Sequence, residues 1–259
     1  MKHKTFSFLH AILMCMALGC ITLTSCGDDE EITPSVMNYS ENENNTGWHD
    51  YVDLGLPSKT QWATCNIGAS KPEGYGSVFA WGETTGYFAG KENFSWYTYK
   101  WSKGNNNSLL TKYCTSSNFG YDGFTDGKKE LVPTDDAAYA NWGKLWRMPS
   151  IEQFEELINS KYTTITLTKQ KGVNGLVIES KINGRKIFLP TAGRYNNSTQ
   201  NSTELSIVSI GKSGYYWSRT LDEKYPEEAC YLAITSNYVN ADLSIVRFVG
   251  CSIRPVRSQ

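Results

Sequence analysis

The chain has 259 residues, which at roughly 100–200 residues per domain allows one large domain with extensions or two small domains. Its 25 Lys and Arg residues balance 26 Asp and Glu residues, so the chain has no excess positive charge to neutralise a phosphate backbone, and we expect no nucleic-acid partner. With 22 Gly, 16 Tyr and 8 Trp, the composition favours a loop-rich, aromatic-cored globular fold over a helical bundle or a disordered chain.

The first 25 residues have the pattern of a bacterial lipoprotein signal peptide. A short basic start precedes Phe6–Leu18, an apolar stretch that is too short to span a bilayer. This stretch leads into Leu23–Cys26 (LTSC), which resembles a lipobox, where the cysteine is acylated before the signal is cleaved. We therefore expect removal of residues 1–25 and lipidation of Cys26. The alternative is an ordinary secretory signal that happens to carry a cysteine.

Residues 26–47 are predicted to be the acylated cysteine and a disordered acidic tether. The segment runs through Gly27–Glu31 (GDDEE) and reaches Gly47 without a Lys or Arg. Such a composition buries too little apolar surface to fold, so the tether should reach about 25 Å. The acidic cluster after the cysteine looks like the export signal of surface lipoproteins of the Bacteroidetes; a solvated spacer is the alternative. We therefore expect the protein to be lipid-anchored in the outer membrane and exposed on the cell surface.

Four cysteines remain after Cys15 and Cys20 are assigned to the signal and Cys26 to the anchor. They are Cys65, Cys114, Cys230 and Cys251. An even number of cysteines in an oxidising compartment permits disulfides. We expect the pairs to form within each half of the chain, Cys65 with Cys114 and Cys230 with Cys251. Buried free thiols are the alternative, because cysteine is often buried without a partner.

Residues 48–259 are interpreted as one domain, because no linker or charge block interrupts them. Stretches 82–133 and 190–213 are rich in Gly, Asn, Ser and aromatic residues, which is typical of ordered loops held by aromatic side chains. The pattern predicts an α+β domain with few short helices, antiparallel strands and long ordered loops. The candidate strands are Tyr51–Leu54, Gln61–Thr64, Val78–Trp81, Tyr162–Thr168, Leu176–Ser180, Arg185–Leu189, Tyr215–Arg219, Cys230–Ile234, Leu243–Val249 and Ser252–Val256.

Local signals place two helices and one tight turn. Ser150 can cap a helix over Ser150–Ser160, with Gln153 as its capping-box partner and the apolar residues on one face. A shorter helix is predicted after Thr134, ending before Gly143. Asn183–Gly184 favours a two-residue turn in a hairpin, because both turn positions there need positive φ.

Six strings along the chain together resemble a known family. They are Tyr51–Ser58 (YVDLGLPS), Gln61–Asn66 (QWATCN), Phe79–Glu83 (FAWGE), Trp146–Ser150 (WRMPS), Tyr216–Ser218 (YWS) and Arg254–Val256 (RPV). In this order they resemble the Fibrobacter succinogenes major paralogous domain, a family found in secreted and surface lipoproteins. That family is similar in turn to the C-type lectin-like fold, which formylglycine-generating enzymes share. The resemblance implies this fold, with its terminal strands side by side, and no defined activity.

Residues suited to catalysis or metal binding are scarce. His49 is the only histidine after the signal, which argues against a Ser-His-Asp triad or a His-rich metal site. Formylglycine-generating enzymes use two closely spaced cysteines, whereas Cys230 and Cys251 lie far apart in sequence. We therefore expect no catalytic residues, no metal and no cofactor. An enzyme related to that superfamily, with carboxylates such as Asp135 or Asp136, is the third hypothesis.

Two further motifs are interpreted as structural. Gly211–Ser213 looks like the end of a phosphate loop, but Ser206 stands where the first glycine is needed, so the motif fails. Arg254 in the last strand is expected to form a structural salt bridge with a carboxylate such as Glu83 or Asp53.

Five aromatic residues crowd into the eight residues of Phe94–Trp101 (FSWYTYKW), which we name the aromatic run. If exposed, Trp96, Tyr97, Tyr99 and Trp101 offer stacking faces for a glycan or an anchor for a partner protein. The alternative is a loop pinned by its own buried aromatics. We expect a surface lipoprotein with a non-catalytic binding or display domain, for a glycan or a partner protein. A structural or fimbria-associated surface component is the second hypothesis.

Overall fold

A computed structural model describes residues 49–258, apart from 88–89, 91–92, 105, 108 and 196–206. The predicted signal (1–25), the lipidation site Cys26 and the tether (26–47) lie outside these residues. Two short helices and fourteen strands are present in the described part. In chain order they are β1 (Tyr51–Asp53), β2 (Gln61–Ala63), β3 (Val78–Phe79), α1 (Ala137–Trp142), α2 (Ile151–Leu157), β4 (Thr163–Gln170), β5 (Val173–Ser180), β6 (Lys186–Pro190), β7 (Arg194–Tyr195), β8 (Ile207–Val208), β9 (Gly214–Leu221), β10 (Glu228–Ile234), β11 (Val239–Asn240), β12 (Ser244–Val246), β13 (Cys251–Ser252) and β14 (Val256–Arg257).

The strands form four sheets. The largest has the order β11-β10-β9-β13-β3, with β12 also paired to β10. Two three-stranded sheets have the orders β1-β2-β14 and β4-β5-β6, and β7 pairs with β8. Only the β9–β13 pair among these strands is parallel. The domain is therefore rich in strands, with few short helices, and is compatible with the predicted α+β class.

The first and last strands of the domain flank the same neighbour. Tyr51 of β1 lies opposite Ala63 of β2, and Val256 of β14 lies opposite Trp62 of the same strand. β1 and β14 thus share a sheet but do not pair with each other, so the expectation that the terminal strands lie side by side is wrong: β2 lies between them.

Alternate residues of β9 and β10 supply two hydrophobic clusters, because successive side chains of a strand point to opposite faces. Trp217 and Tyr231 join the first cluster, whose large members include Trp81, Tyr113, Trp142 and Trp146. Tyr216 and Leu232 join the second, together with Trp62, Phe154, Leu157, Leu176, Ile178, Ile187 and Leu189. The largest sheet is thus covered on both faces, and four buried tryptophans lie in the first cluster.

The local helix predictions are confirmed. Ser150 caps α2 and accepts a hydrogen bond from the Gln153 backbone at 3.3 Å, while the Gln153 side chain accepts one from the Ser150 backbone at 2.8 Å. The helix ends before the predicted limit of Ser160. The shorter helix predicted after Thr134 is α1, preceded by a 3₁₀ turn at Pro133–Asp135.

The β5–β6 hairpin is present, but its predicted two-residue turn is wrong. Gly184 has a φ of +73°, whereas Asn183 keeps a negative φ, and the chain turns over a longer loop closed by the Ser180 N–H to the Arg185 carbonyl at 2.9 Å. The two-residue turn lies instead between β4 and β5, at Lys171–Gly172, with φ values of +48° and +83°.

Arg254 is fully buried, but it binds no carboxylate, so the expected salt bridge to Glu83 or Asp53 is wrong. Its Nε donates to Asn66 Oδ1 at 2.9 Å, and its Nη atoms donate to the carbonyls of Ala63, Thr64 and Phe188 at 2.7 to 3.0 Å. Desolvation lowers the pKa of Arg254. The guanidinium thus ties the β1-β2-β14 sheet to the β4-β5-β6 sheet through neutral acceptors.

The predicted disulfides are also absent, since Cys65, Cys114, Cys230 and Cys251 are all free thiols. Cys230 lies in β10 and Cys251 in β13, and β9 runs between them. Two strand spacings alone separate their Cα atoms by at least roughly 9–10 Å, whereas a disulfide needs about 4.4–6.8 Å. The Cys114 thiol instead donates to the Ser116 carbonyl at 3.1 Å. Burial raises the pKa of Cys114, of Cys251 and of Cys230, the last to about 12.

Candidate functional site

The aromatic run packs mostly inward. Tyr99 is only 2% exposed, and its hydroxyl donates to the Trp81 carbonyl at 2.8 Å. Phe94 is fully buried against Tyr195, with 4.6 Å between ring centroids. The half-buried Trp96 packs its ring edge-to-face with Tyr99 at 5.7 Å. Three of these rings therefore brace the loop against the core, and Tyr99 offers no surface to a ligand.

The remaining two ligand-binding candidates of the run differ from each other. Trp101 is half-buried and donates from Nε1 to the Gly82 carbonyl at 2.9 Å. The ammonium groups of Lys100 and Lys112 lie 4.3 and 4.6 Å from its ring centroid. Tyr97, by contrast, is 63% exposed. The four predicted residues do not form one stacking platform.

A different part of the molecule contains an open cleft of about 550 Å³, which we name the His49 cleft. It lies between the start of the domain, the loop 66–77 and the end of α1. Its lining combines aromatic rings with small polar groups and glycines, a mixture typical of small-molecule sites. The lining residues are His49, Ile67, Gly68, Gly76, Ser77, Phe79, Asn141 and Trp142.

A stack of three rings forms one side of the His49 cleft. The imidazole of His49 lies parallel to the Trp142 indole, with 3.5 Å between centroids and 10° between planes. Trp146 meets both rings edge-on, at 6.2 Å from His49 and 5.2 Å from Trp142. Trp142 and Trp146 are buried, whereas His49 is half-buried. The tryptophans therefore hold the imidazole in place at the opening.

Two glycines shape the opposite wall. Gly76 has a φ of +69°, and a Cβ there would lie 2.4 Å from the Ile67 carbonyl oxygen. Gly68 has a φ of +83°, and its Cβ would lie 3.0 Å from the Ser77 nitrogen. The Ser77 N–H donates to the Ile67 carbonyl at 2.8 Å, which closes the loop. Glycine is needed at both positions because this fold of the loop leaves no room for a side chain.

Asp136 fixes the helix that carries Trp142. Its Oδ1 accepts hydrogen bonds from the backbone of Ala138 and Tyr139 at 2.9 and 3.1 Å, which caps α1. Its Oδ2 accepts from Arg147 Nε at 2.9 Å, and both oxygens accept from the Met148 N–H. The carboxylate is fully buried. It joins the start of α1 to the strand-like segment before α2 and so positions the ring stack.

Asp135, the other carboxylate of the enzymatic hypothesis, is also engaged in structure. Its Oδ2 accepts from Lys112 Nζ and from the Tyr113 hydroxyl, both at 2.6 Å. Burial and the bond to Asp135 raise the pKa of Tyr113. Neither Asp135 nor Asp136 lines the His49 cleft.

The polar side of the cleft presents acceptors and a neutral imidazole. Asn141 Nδ2 donates to the carbonyls of Thr84 and Ala137 at 3.0 and 2.8 Å. Its Oδ1 accepts no hydrogen bond from the described residues, so it can accept one from a ligand hydroxyl. Burial lowers the pKa of His49 below its ordinary 6.5, against a smaller opposing effect of Asp50. The neutral form of the imidazole is therefore favoured.

Sequence reasoning did not identify this cleft. From the sequence, His49 was weighed only for a triad or a metal site, and Trp142 carried no ligand-binding prediction. The aromatic stack joins residues that are far apart in the chain, so no local pattern reveals it. The sequence signal that comes nearest to the cleft is Asp136, because it fixes where α1, the helix that carries Trp142, begins.

The described residues give no sign of a bound ion or a membrane span. Within residues 49–258 and outside the gaps, no three His, Cys, Asp or Glu side chains cluster closely enough to hold a metal ion. None of the helices in that part is long and apolar enough to cross a bilayer. No protein-family model, no curated protein and no solved structure matches this chain.

Proposed function

We propose that this protein is a lipid-anchored surface lipoprotein whose domain binds a carbohydrate in the His49 cleft. The observation that carries the proposal is the parallel stack of His49 on Trp142 beside the acceptor Oδ1 of Asn141. The C–H face of a sugar ring packs against flat aromatic rings, and its hydroxyl groups need nearby acceptors and donors. The imidazole of His49 over the buried indole of Trp142 provides the aromatic surface, and the polar wall of the cleft provides the hydrogen-bonding groups.

The membrane anchor rests on the sequence. Leu23–Cys26 supports acylation of Cys26, and the acidic segment that follows supports display on the outer face of the outer membrane. Cys26→Ser should abolish incorporation of labelled fatty acid and release the chain from the envelope fraction. Protease added to intact cells should remove the domain if it faces outside. An unlabelled wild-type chain would contradict the anchor.

The resemblance to the Fibrobacter succinogenes major paralogous domain and to the C-type lectin-like fold supports a binding role. The placement of β1 and β14 beside β2 and the few short helices of the described part are consistent with that fold. A binding domain also fits the structural engagement of both Asp135 and Asp136. Measurable turnover abolished by Asp135→Asn would favour the enzymatic hypothesis instead.

A glycan array followed by titration calorimetry tests the binding proposal. His49→Ala removes the half-buried ring at the opening of the cleft, and we expect binding of the best array ligand to weaken by about two- to tenfold, since one stacked ring contributes about 0.5–1.5 kcal/mol. The matched control is Tyr97→Ala, which removes an exposed aromatic ring from the aromatic run. Its affinity should equal that of the wild type. An empty array, or equal losses in both variants, would contradict binding in the cleft.

A second candidate function is a structural component of a surface assembly, and the strand β4 favours it. β4 is the outer strand of its sheet, and Ile165 and Leu167 on it are 38% and 46% exposed. They share a face with Ile178 and Leu176, so apolar surface continues past the core. Exposed edge strands of this kind pair readily with other strands. Light scattering of the full chain and of an Ile165→Lys variant tests it; a monomeric wild type contradicts it.

A further inference from the structure

A second concave surface lies away from the His49 cleft. It is a groove of about 460 Å³ between the β4–β5 turn and the loop 209–213, which we name the lysine groove. Its volume falls within the roughly 300–1,000 Å³ of small-molecule sites. Its wall combines apolar surface, including Leu167, with hydroxyl, amide and ammonium groups from Thr168, Lys169, Asn174, Lys212 and Ser236.

The lysine groove carries net positive charge. No Asp or Glu is among its lining residues. Neither Lys169 nor Lys212 forms an ion pair within the described part of the chain. Both side chains are exposed. Two unpaired ammonium groups in one groove, without a carboxylate to neutralise them, attract an anion and lower the affinity for a cation.

A neighbouring carboxylate does not cancel this charge. Glu73 is buried, and its Oε1 lies 3.8 Å from Lys171 Nζ and 3.9 Å from Lys71 Nζ. One carboxylate is thus shared between two further lysines, neither of which lines the groove. The surroundings of the groove therefore add positive charge as well.

The backbone of the groove is held in place before any ligand arrives. Asn174 Nδ2 donates to the Gly211 carbonyl at 2.7 Å, and the Gly211 N–H donates to the Thr191 carbonyl at 2.8 Å. The Thr191 backbone and hydroxyl both donate to the Asn174 carbonyl at 2.9 Å. These bonds join the loop 209–213 to β5 and to the end of β6. A rigid wall reduces the ordering cost of binding.

The lysine groove and the His49 cleft border on the same loop. Gly76 and Ser77 line the cleft, and a Cβ built on Gly211 in the groove would lie 3.9 Å from the Tyr75 hydroxyl. The loop 66–77 therefore separates a neutral aromatic site from a cationic polar site.

We infer that the lysine groove is a second binding site, for an acidic saccharide. The two ammonium groups bind its carboxylate or sulfate, and the hydroxyl and amide groups of the wall bind its ring hydroxyls. That the ligand is a saccharide rests on the proposed function; that it is an anion rests on the charge of the groove alone. The carboxylate and the sulfate ester share this chemistry, and the experiment separates them.

The test uses the full chain purified in detergent and the double variant Lys169→Gln/Lys212→Gln. The matched control is Lys103→Gln/Lys144→Gln, which removes the same charge from exposed lysines elsewhere. The probes are a galacturonate trimer, a galactose disaccharide that carries a sulfate ester and no carboxylate, a neutral galactose trimer and glycerophosphoglycerol, an anionic lipid headgroup. Titration calorimetry is run at 50 and 200 mM salt.

We expect at least one acidic saccharide to bind the groove variant more than tenfold more weakly than it binds the wild type. Its affinity for the control variant should stay within twofold of its affinity for the wild type. Binding of the galacturonate alone assigns a carboxylate ligand, and binding of the disaccharide alone assigns a sulfate. Loss that is equal in both variants, no acidic saccharide binding, or binding of glycerophosphoglycerol alone would overturn the inference. His49→Ala reports separately on the cleft, so failure of one site is distinguishable from failure of the other.

Discussion

The aromatic run and the His49 cleft both concentrate aromatic side chains, yet they use them in opposite ways. In the run, Phe94 and Tyr99 are buried and Trp101 is bonded to a backbone carbonyl. In the cleft, two buried tryptophans support a third ring, His49, at an opening. The run has the greater local density of aromatic residues, but the cleft has the accessible surface.

The hydrogen-bond partners of an aromatic ring therefore decide whether it is buried or accessible. A Tyr hydroxyl or a Trp N–H that finds a backbone acceptor draws the ring inward, because burying that group without a partner is costly. Tyr99 finds the Trp81 carbonyl, and Trp101 finds the Gly82 carbonyl. His49 is instead held by its contacts with the Trp142 and Trp146 rings and stays half-buried. Four predictions test this contrast.

The largest effect is expected from Tyr99→Ala. Loss of a buried ring and of its bond to Trp81 should lower the free energy of unfolding by about 3–5 kcal/mol. Its neighbour Tyr97 provides the control, because Tyr97→Ala at an exposed site should change stability by less than about 0.5 kcal/mol. Urea unfolding followed by tryptophan fluorescence measures both. Equal effects would remove the distinction between the buried and exposed parts of the run.

Gly76→Ala should have the next largest effect, and it acts on the cleft. A methyl group would meet the Ile67 carbonyl at 2.4 Å in a backbone of positive φ, so we expect a loss of about 1–3 kcal/mol and weaker binding in the cleft. Gly127→Ala is the control, since Gly127 has a φ of +62° with nothing within 4 Å of its Cβ position. A loss no larger than that of Gly127→Ala would show that the loop adapts.

Trp101→Phe should have a smaller effect. It keeps a ring between Lys100 and Lys112 but removes the hydrogen bond to Gly82, which contributes about 1 kcal/mol. Urea unfolding measures the loss, and calorimetry should find ligand affinity in the cleft unchanged. Reduced ligand affinity together with unchanged stability would identify Trp101 as a ligand-binding residue.

The smallest effect concerns pH. Because the pKa of His49 is lower in the folded chain than its ordinary 6.5, the unfolded chain binds more protons as the pH falls below that value. Stability should therefore decrease as the pH drops from 8 through 6.5 and level off below the folded pKa. His49→Phe keeps a ring that does not titrate. The difference between the unfolding curves of the two proteins from pH 8 to pH 5 isolates the imidazole, and a constant difference would contradict its burial.

Local features of the fold were predictable from the sequence. The capping box at Ser150 and Gln153 depends only on residues three apart, and α2 forms where it was expected. Short strands were also found from their apolar patterns, including β1, β2 and β9. The tight turn was missed because Lys171 takes a positive φ that lysine rarely adopts, whereas Ser180 Oγ binds the N–H groups of Ile182 and Asn183 and so lengthens the other turn.

Features that depend on strand order were not predictable. Pairing of Cys230 with Cys251 was inferred from nearness in sequence, but β9 separates their strands. Arg254 was expected to need a carboxylate, yet carbonyls from two sheets converge on it. The His49 cleft likewise joins the first described residue to α1. These arrangements follow from tertiary topology, which single-sequence patterns do not encode.

The position of β2 between the first and last strands has a mechanical consequence. A pull on the N-terminal end of the domain along the axis of β1 would enter that strand at Tyr51. The backbone bonds from β1 to β2, with the bond from the Thr64 N–H to the Asp50 carbonyl at 3.0 Å, would then be loaded together in shear and not opened one after another. β14 pairs with the opposite edge of β2. The domain would therefore resist a pull in that direction better than a pull at right angles to it.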